Sequence, residues 1–264
     1  MKARSVFSDI RGSLRQPEFW AYSSWLDMVI RYRKTQLGLL WLFLTFGFFV
    51  IVMGVKFGYL MGQDPHVFVP YVAVGYMIWR FMVTILNDSA ATFRSHRAYI
   101  MDGKVRFTDY LLRSIAKAGF NLLFAVVVVA MVLAWTPYAG VGGLLTMFIT
   151  FPLVILNMAW IGLCLSFLGA RYPDIQELIG TLLMAGFLLT PIIWDVSRYP
   201  PETVRGAITR LNPAFHLVEL VRAPVLGRMP ETNSIIFVVA MAVVGWLVAA
   251  WMYRRYARFV PLWL

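Results

Sequence analysis

The sequence predicts an all-α integral membrane protein: six transmembrane helices, an N-terminal amphipathic interface helix, and two short re-entrant outer helices between spans five and six. Three observations carry that prediction. The 264 residues are 60% hydrophobic and 14% charged, with mean hydropathy +0.71, whereas soluble chains hold about 45–50% apolar and about 25% charged residues. Six stretches match the roughly 20 apolar residues that cross a hydrocarbon core as a helix. Lys and Arg crowd onto alternate flanks of those stretches, as cytoplasmic segments do. This composition excludes a water-soluble enzyme, a disordered chain and, with Cys164 the single cysteine, a disulfide scaffold. A net charge of +11 in so apolar a chain points to cytoplasmic flanks on anionic lipid rather than to nucleic acid.

The spans run over about 39–60, 67–86, 115–135, 142–168, 178–194 and 235–253. Lys56 lies near the far end of the first and Arg80 inside the second. Pro152 in the fourth is expected to kink that helix rather than end it. The fifth closes on LLTPIIW. With the N-terminus inside, the inner segments hold seventeen Lys and Arg against five in the outer ones, so both termini are expected in the cytoplasm. The first apolar run begins near residue 37 behind a polar and aromatic leader, so no cleavable signal peptide is expected. No internal repeat or linker divides the chain, and 1–264 reads as one membrane domain.

In the leader, Pro17 and Glu18 suit a first helical turn, and Phe19, Tyr22, Leu26, Val29 and Arg33 follow at helical spacing. Two readings fit: an interface helix that touches a partner, and a membrane anchor with basic residues on anionic lipid. The inner segment 87–117 mixes Arg94, His96, Arg97, Lys104 and Arg106 with acidic residues and is broken by Gly103. It reads either as a solvated basic loop or as the carrier of a short helix that docks a soluble subunit. In the outer segment 195–234, a short helical pattern follows Pro200-Pro201, with Val204, Ile208 and Leu211 on one face. Asn212-Pro213 caps and starts a second helix that Gly227 closes, with an apolar stripe of Phe215, Val218, Val221 and Val225. Two amphipathic helices dipping into the outer leaflet are expected, with Glu219 and Arg222 paired at i,i+3. Arg80 requires a cavity, a partner or a snorkelling path, while Lys56 can snorkel.

Covalent chemistry is missing from the pattern. No phosphate-binding G-x-x-x-x-G-K-[ST] occurs, the three histidines and one cysteine have no metal spacing, and no carboxylate pair lies in a span. The chain therefore reads as a conduit, a scaffold or a partner, with no metal and no cofactor of its own.

Four stretches resemble the permease subunits of type-2 ABC exporters, especially those that move O-antigen, capsule or teichoic-acid polysaccharide. They are RYRKTQLGLLW (Arg31–Trp41), ARYPDIQELIG (Ala170–Gly180), LLTPIIW (Leu188–Trp194) and NPAFHLVELVRAPVLG (Asn212–Gly227), of which the last is the most specific. Two positions depart from the family pattern: Phe46, where a proline usually bends span one, and Pro173, where Arg is frequent. The resemblance implies a non-enzymatic, channel-forming subunit in the bacterial inner membrane. It implies a homodimer bound to a cytoplasmic ABC ATPase dimer that holds ATP and Mg. Docking to that ATPase falls, on this resemblance, to Arg31, Arg33, Arg94, His96, Arg97 and Lys104. The lipid-linked glycan would slide along aromatic rings, with Phe46, Phe49, Tyr59 and Trp194 expected to line the pore. Asn212, Pro213, Glu219 and Arg222 would belong to the re-entrant exit helices. The alternative within the family is export of a drug, an antibiotic or a small lipid. A membrane transferase would need carboxylate or histidine clusters that are absent, and a secondary carrier would keep transporting without ATP.

Overall fold

The computed structural model describes residues 5–103, 105–136 and 141–264. Among these, all regular structure is helical. The leader forms α1 (Val6–Arg15), a π-helical turn (Glu18–Tyr22) and α2 (Ser23–Arg33). Five helices are long and apolar enough to cross a membrane. They are α3 (Leu40–Leu60), α4 (Pro65–Ser95), α6 (Phe107–Trp135), α8 (Met147–Arg171, preceded by the short α7, Val141–Leu145) and α12 (Thr232–Tyr256). The shorter elements are α5 (Arg97–Asp102), α9 (Ile175–Leu189), α10 (Val204–Arg210), α11 (Pro213–Val225) and α13 (Val260–Trp263).

Helix α4 is the axis of the protein. It packs against α3, α6, α8, α9 and α11, and its apolar positions are buried nearly all round. A helix hydrophobic on every face belongs inside a bundle. Glycines let its neighbours approach. A Cβ at Gly169 on α8 would run into the Ala90 carbonyl oxygen of α4, and one at Gly54 on α3 would lie 3.0 Å from the Val69 backbone.

The structure corrects several boundaries. The leader contains α1, which sequence spacing did not mark, because its hydrophobic face is short and its Asp9 and Ser13 are buried polar residues. Tyr253 of α12 donates to Asp9 Oδ2 at 2.5 Å, and the Ser13 and Thr108 hydroxyls meet at 2.6 Å. The π-turn follows Pro17, where Ser23 and Ser24 donate back to the carbonyls of Phe19 and Trp20, a pattern that loosens helices. The inner segment is mostly helical: α4 continues to Ser95, α5 follows, and α6 starts at Phe107. Hydropathy ended these spans where the side chains turn polar, although the backbone hydrogen bonds run on. Gly103 closes α5 at φ +70°. Pro152 is accommodated inside α8, and the break falls at Thr146 instead.

The largest correction concerns span five. An uninterrupted helix to Trp194 is expected from hydropathy, yet α9 ends at Leu189 after 15 residues, about 22 Å of helix. Pro191 disfavours the helical region for the residue before it, and Thr190 is extended at φ −89°, ψ 135°. None of the residues of α9 is buried. The second outer helix also departs from the amphipathic expectation. Positions Phe215 to Ala223 of α11 are buried without interruption, so this is a core element, while α10 keeps Val204, Ile208 and Leu211 exposed in one stripe.

Gly169→Ala is expected to destabilise the bundle by about 2 kcal/mol through forced α4–α8 separation. Gly180→Ala, whose added methyl meets open space inside α9, is expected to keep or slightly raise the melting temperature in detergent, because alanine gains up to about 1 kcal/mol of helix propensity.

Candidate functional site

Two polar clusters organise the molecule, one at each end of α4. At the end away from the leader, Arg222 of α11 is fully buried. Its Nε and Nη2 donate to Glu219 Oε2 at 3.0 and 2.6 Å, and Nη1 donates to the Pro191 carbonyl at 2.5 Å. The guanidinium carbon lies 3.8 Å from the centroid of the Tyr71 ring on α4. The Tyr71 hydroxyl itself faces the carbonyls of Pro191 and Trp194, at 3.3 and 3.2 Å. Gly75, one turn further along α4, leaves room for Nη1; a Cβ there would lie 3.3 Å from it. Asn212 caps α11 by accepting from the Ala214 amide at 2.9 Å and donates to Thr190 Oγ1 at 2.9 Å. Pro213 occupies the first turn. The motifs LLTPIIW and NPAFHLVELVR thus meet in space. The Pro191 and Trp194 carbonyls of the non-helical segment after α9 are met by Arg222 and Tyr71, as buried polar backbone requires.

The expected Glu219–Arg222 pair is present. Thr190 and Pro191 enter the cluster from the LLTPIIW stretch, whereas Tyr71 completes it without any sequence signal beyond its apolar setting. Nearby, Arg210 grips Glu231 through two bonds, at 3.0 and 2.6 Å. His216 lies between Ser234 Oγ and the Arg210 carbonyl, each at 2.8 Å.

At the leader end, Arg113 of α6 is the clasp. It pairs with Asp27 of α2, donates to Ser23 Oγ at 3.1 Å and meets His96 Nε2 at 2.5 Å, while Ser24 Oγ donates to its carbonyl at 3.0 Å. His96 directs Nδ1 at the Thr92 carbonyl, 2.8 Å away. That geometry assigns the proton to Nδ1 and leaves Nε2 to accept from Arg113. Phe19 and Trp25 of the leader pack edge-on against Tyr110 and Phe120 of α6. One residue therefore ties the leader, the end of α4 and the start of α6 together. Arg31 and Arg33 stand exposed on the last turn of α2, and Arg94 and Arg97 stand exposed on either side of His96. Lys104 lies outside the described residues. Tyr99 and Met101 of α5 are exposed beside Arg97.

The aromatic positions separate. Phe46 is buried, with 2% of its surface exposed, and stacks on Tyr76 at 5.5 Å, so it belongs to the core and not to a lining. Where a proline would bend span one, this ring packs against α4 instead. Phe49 stacks on the same Tyr76 at 3.8 Å and meets Phe187 of α9 edge-on at 5.9 Å. Tyr59 is exposed at the far end of α3, and Trp194 donates to the Leu188 carbonyl at 3.1 Å. The four rings expected to line one surface do not form a single one within the chain. No group of His, Cys, Asp or Glu able to hold a metal occurs among the described residues.

Five span-length apolar helices, with a buried ion pair where a further apolar segment stops, define a multi-pass membrane protein. The chain belongs to the ABC-2 type transporter family, whose model matches residues 20–226. It is 25% identical over 229 residues to the O-antigen export system permease protein RfbA of Myxococcus xanthus, covering 83% of this chain and 84% of that one. It is also 25% identical over 231 residues to the polysialic acid transport protein KpsM of Escherichia coli, covering 85% and 88% respectively.

Arg222→Met is expected to cost about 3–5 kcal/mol, because Glu219 is left buried and unpaired. Adding Glu219→Leu is expected to recover part of that in thermal unfolding, with the orphaned Pro191 carbonyl accounting for the remainder. At the other end, burial first, and then the Arg113 charge, hold the His96 pKa below the ordinary histidine value, with the Thr92 carbonyl opposing. The folded state thus binds this proton more weakly than the unfolded state. The clasp is complete above about pH 6.5 and weakens as pH falls below it. Melting at about pH 7.5 and about pH 5.5 is expected to show that loss in the natural chain and a smaller one in His96→Gln, which keeps an acceptor without titrating.

Proposed function

We propose that this permease exports a lipid-linked polysaccharide, of O-antigen, capsule or teichoic-acid type, across the bacterial inner membrane. The reading that carries it is family membership together with two relatives named for O-antigen and polysialic acid transport. On this reading the leader end faces the cytoplasm, in accord with the excess of Lys and Arg there. The α9 helix and the turns that follow it to Trp194 together make the fifth of six crossings. Helices α10 and α11 form the re-entrant exit pair, held by Asn212, Pro213, Glu219 and Arg222.

The functional unit is a dimer of two copies. Its support is the face left uncovered in one chain: α9 has no buried residue, and α3 exposes Leu44, Phe48 and Ile51 at helical spacing. Faces of that size and apolarity, adjacent through Phe49 and Phe187, fit a second copy with the path between them. Phe49, Tyr59 and Trp194 remain the candidates to line it, and Phe46 supports the wall from behind.

A separate ATPase dimer supplies the energy. It would dock on Arg31, Arg33, Arg94, His96, Arg97 and Lys104 and on the exposed Tyr99 and Met101. Arg113 makes the leader and α5 move with α6, so closure of the ATPase reaches the spans as a rigid-body displacement. No ATP or Mg site is assigned to this chain; the partner holds both.

A strain lacking the gene is expected to retain glycan inside the cell on its lipid and lose the surface form, read by fractionation and glycan staining. Normal surface glycan would overturn the polymer reading and favour export of a drug, antibiotic or small lipid.

A further inference from the structure

Arg80 is a charge that the export reading leaves unused. It sits on α4 inside a span, and among the described residues no carboxylate lies within 4 Å of it. Its nearest aromatic is Tyr76, with the guanidinium carbon 5.9 Å from the ring centroid. An intramembrane arginine without a counter-charge marks a pathway, a cavity or a ligand. Free escape into lipid is hindered, because α4 is enclosed by its neighbours and Arg80 opens into the seam between α3, α4 and α6.

That seam leads somewhere. Arg80 and Asn121 line a small void there, and Asn121 also lines a larger cavity of about 380 Å3 between α2 and α6. The larger cavity is bounded by Arg31, Lys117 and Asn121 on its polar side and by Met28 and Ile30 on its apolar side. Lys117 is paired with Asp88, and Asp27 at the rim with Arg113, so the carboxylates near the cavity are already neutralised. Arg31 and Arg80, in contrast, have no acidic partner within 4 Å among the described residues. Arg31 thus leaves one unpaired positive charge at this amphiphilic space, and Arg80 adds a second in the adjacent void, on the other side of the shared Asn121. Asn121 lies one helical turn, about 6 Å, deeper than Lys117, so donors are stacked along the depth of the cavity.

We infer that the cavity between α2 and α6 binds the phosphate headgroup of a membrane lipid, with Arg31, Lys117 and Asn121 at the phosphate and Arg80 as the deeper cation. Tetrahedral phosphate oxygens accept from guanidinium, ammonium and amide donors, and the charge-assisted bonds strengthen away from water. The apolar side at Met28 and Ile30 admits the start of an acyl or prenyl chain, which a free phosphate lacks. Two lipids share this chemistry, an anionic phospholipid and a polyprenyl phosphate.

The test uses the full chain in phosphatidylcholine nanodiscs, titrated with phosphatidylglycerol and with a long-chain polyprenyl monophosphate, reading bound lipid by native mass spectrometry. At least one anionic lipid is expected to bind tenfold or more above phosphatidylcholine. Arg80→Gln is expected to lose that preference and Arg80→Lys to keep most of it. Preference for phosphatidylglycerol assigns the site to the bilayer, and preference for the prenyl lipid assigns it to a carrier. Should Arg80→Gln fail to fold, Asn121→Leu is expected to show the same loss. No anionic preference in the natural chain, or an undiminished one in the folded variant, overturns the inference. Binding is read without ATP or ATPase, so failure here leaves the export reading standing, and normal surface glycan in the deletion strain leaves this one standing.

Discussion

The structure depends on a buried arginine placed where a helix has to stop. Proline ends α9 short of the far face, and the carbonyls of Pro191 and Trp194 lose their helical donors there. In a hydrocarbon environment each unmet carbonyl costs several kcal/mol. Arg222 and Tyr71 supply donors to these carbonyls, and Glu219 makes Arg222 tolerable by giving its charge two short bonds. The ion pair is therefore less a source of stability in itself than a means of permitting non-helical backbone inside the bundle. It also brings α9, α11 and α4 to one point, which is why α11 is buried rather than laid on the surface.

A second constraint acts at the opposite end of α4. There the leader, α5 and α6 are joined through Arg113 by contacts that all converge on one guanidinium. Because α4 runs unbroken between the two clusters over 31 residues, the proposed docking of an ATPase at the leader would act on the Arg222 cluster through one continuous helix. A close-packed helix flanked by glycine contacts transmits movement instead of absorbing it. In the proposed dimer, the uncovered faces of α3 and α9 would carry such movement to the second copy.

Much of this architecture was legible in the residues. Apolar runs of span length announced the bundle, Asn212-Pro213 and Gly227 bracketed α11 to within a residue or two, and Glu219 and Arg222 stood at pairing distance. The errors share one cause. Hydropathy registers where side chains turn polar, whereas helices end where backbone hydrogen bonds end. Segment 87–117 thus read as a loop although α4 and α6 extend through it, and LLTPIIW read as helix although Pro191 ends it. Similarly, α1 was hidden because its inward face carries Asp9 and Ser13, whose partners lie far away in sequence.

By itself the sequence determined the membrane class, the all-helical fold, the caps of α11, the local ion pair and the resemblance to exporters, because each of these depends on residues close together along the chain or on bulk composition. Only the tertiary structure decided that Arg222 serves Pro191 and Tyr71, that Arg113 joins three elements, that Phe46 is core, and that Arg80 lies in the seam between α3, α4 and α6 without an acidic partner among the described residues. Those facts rest on contacts between residues tens of positions apart. Whether an arginine is paired or a ring is exposed is set by what the folded chain brings beside it, and not by its neighbours in sequence.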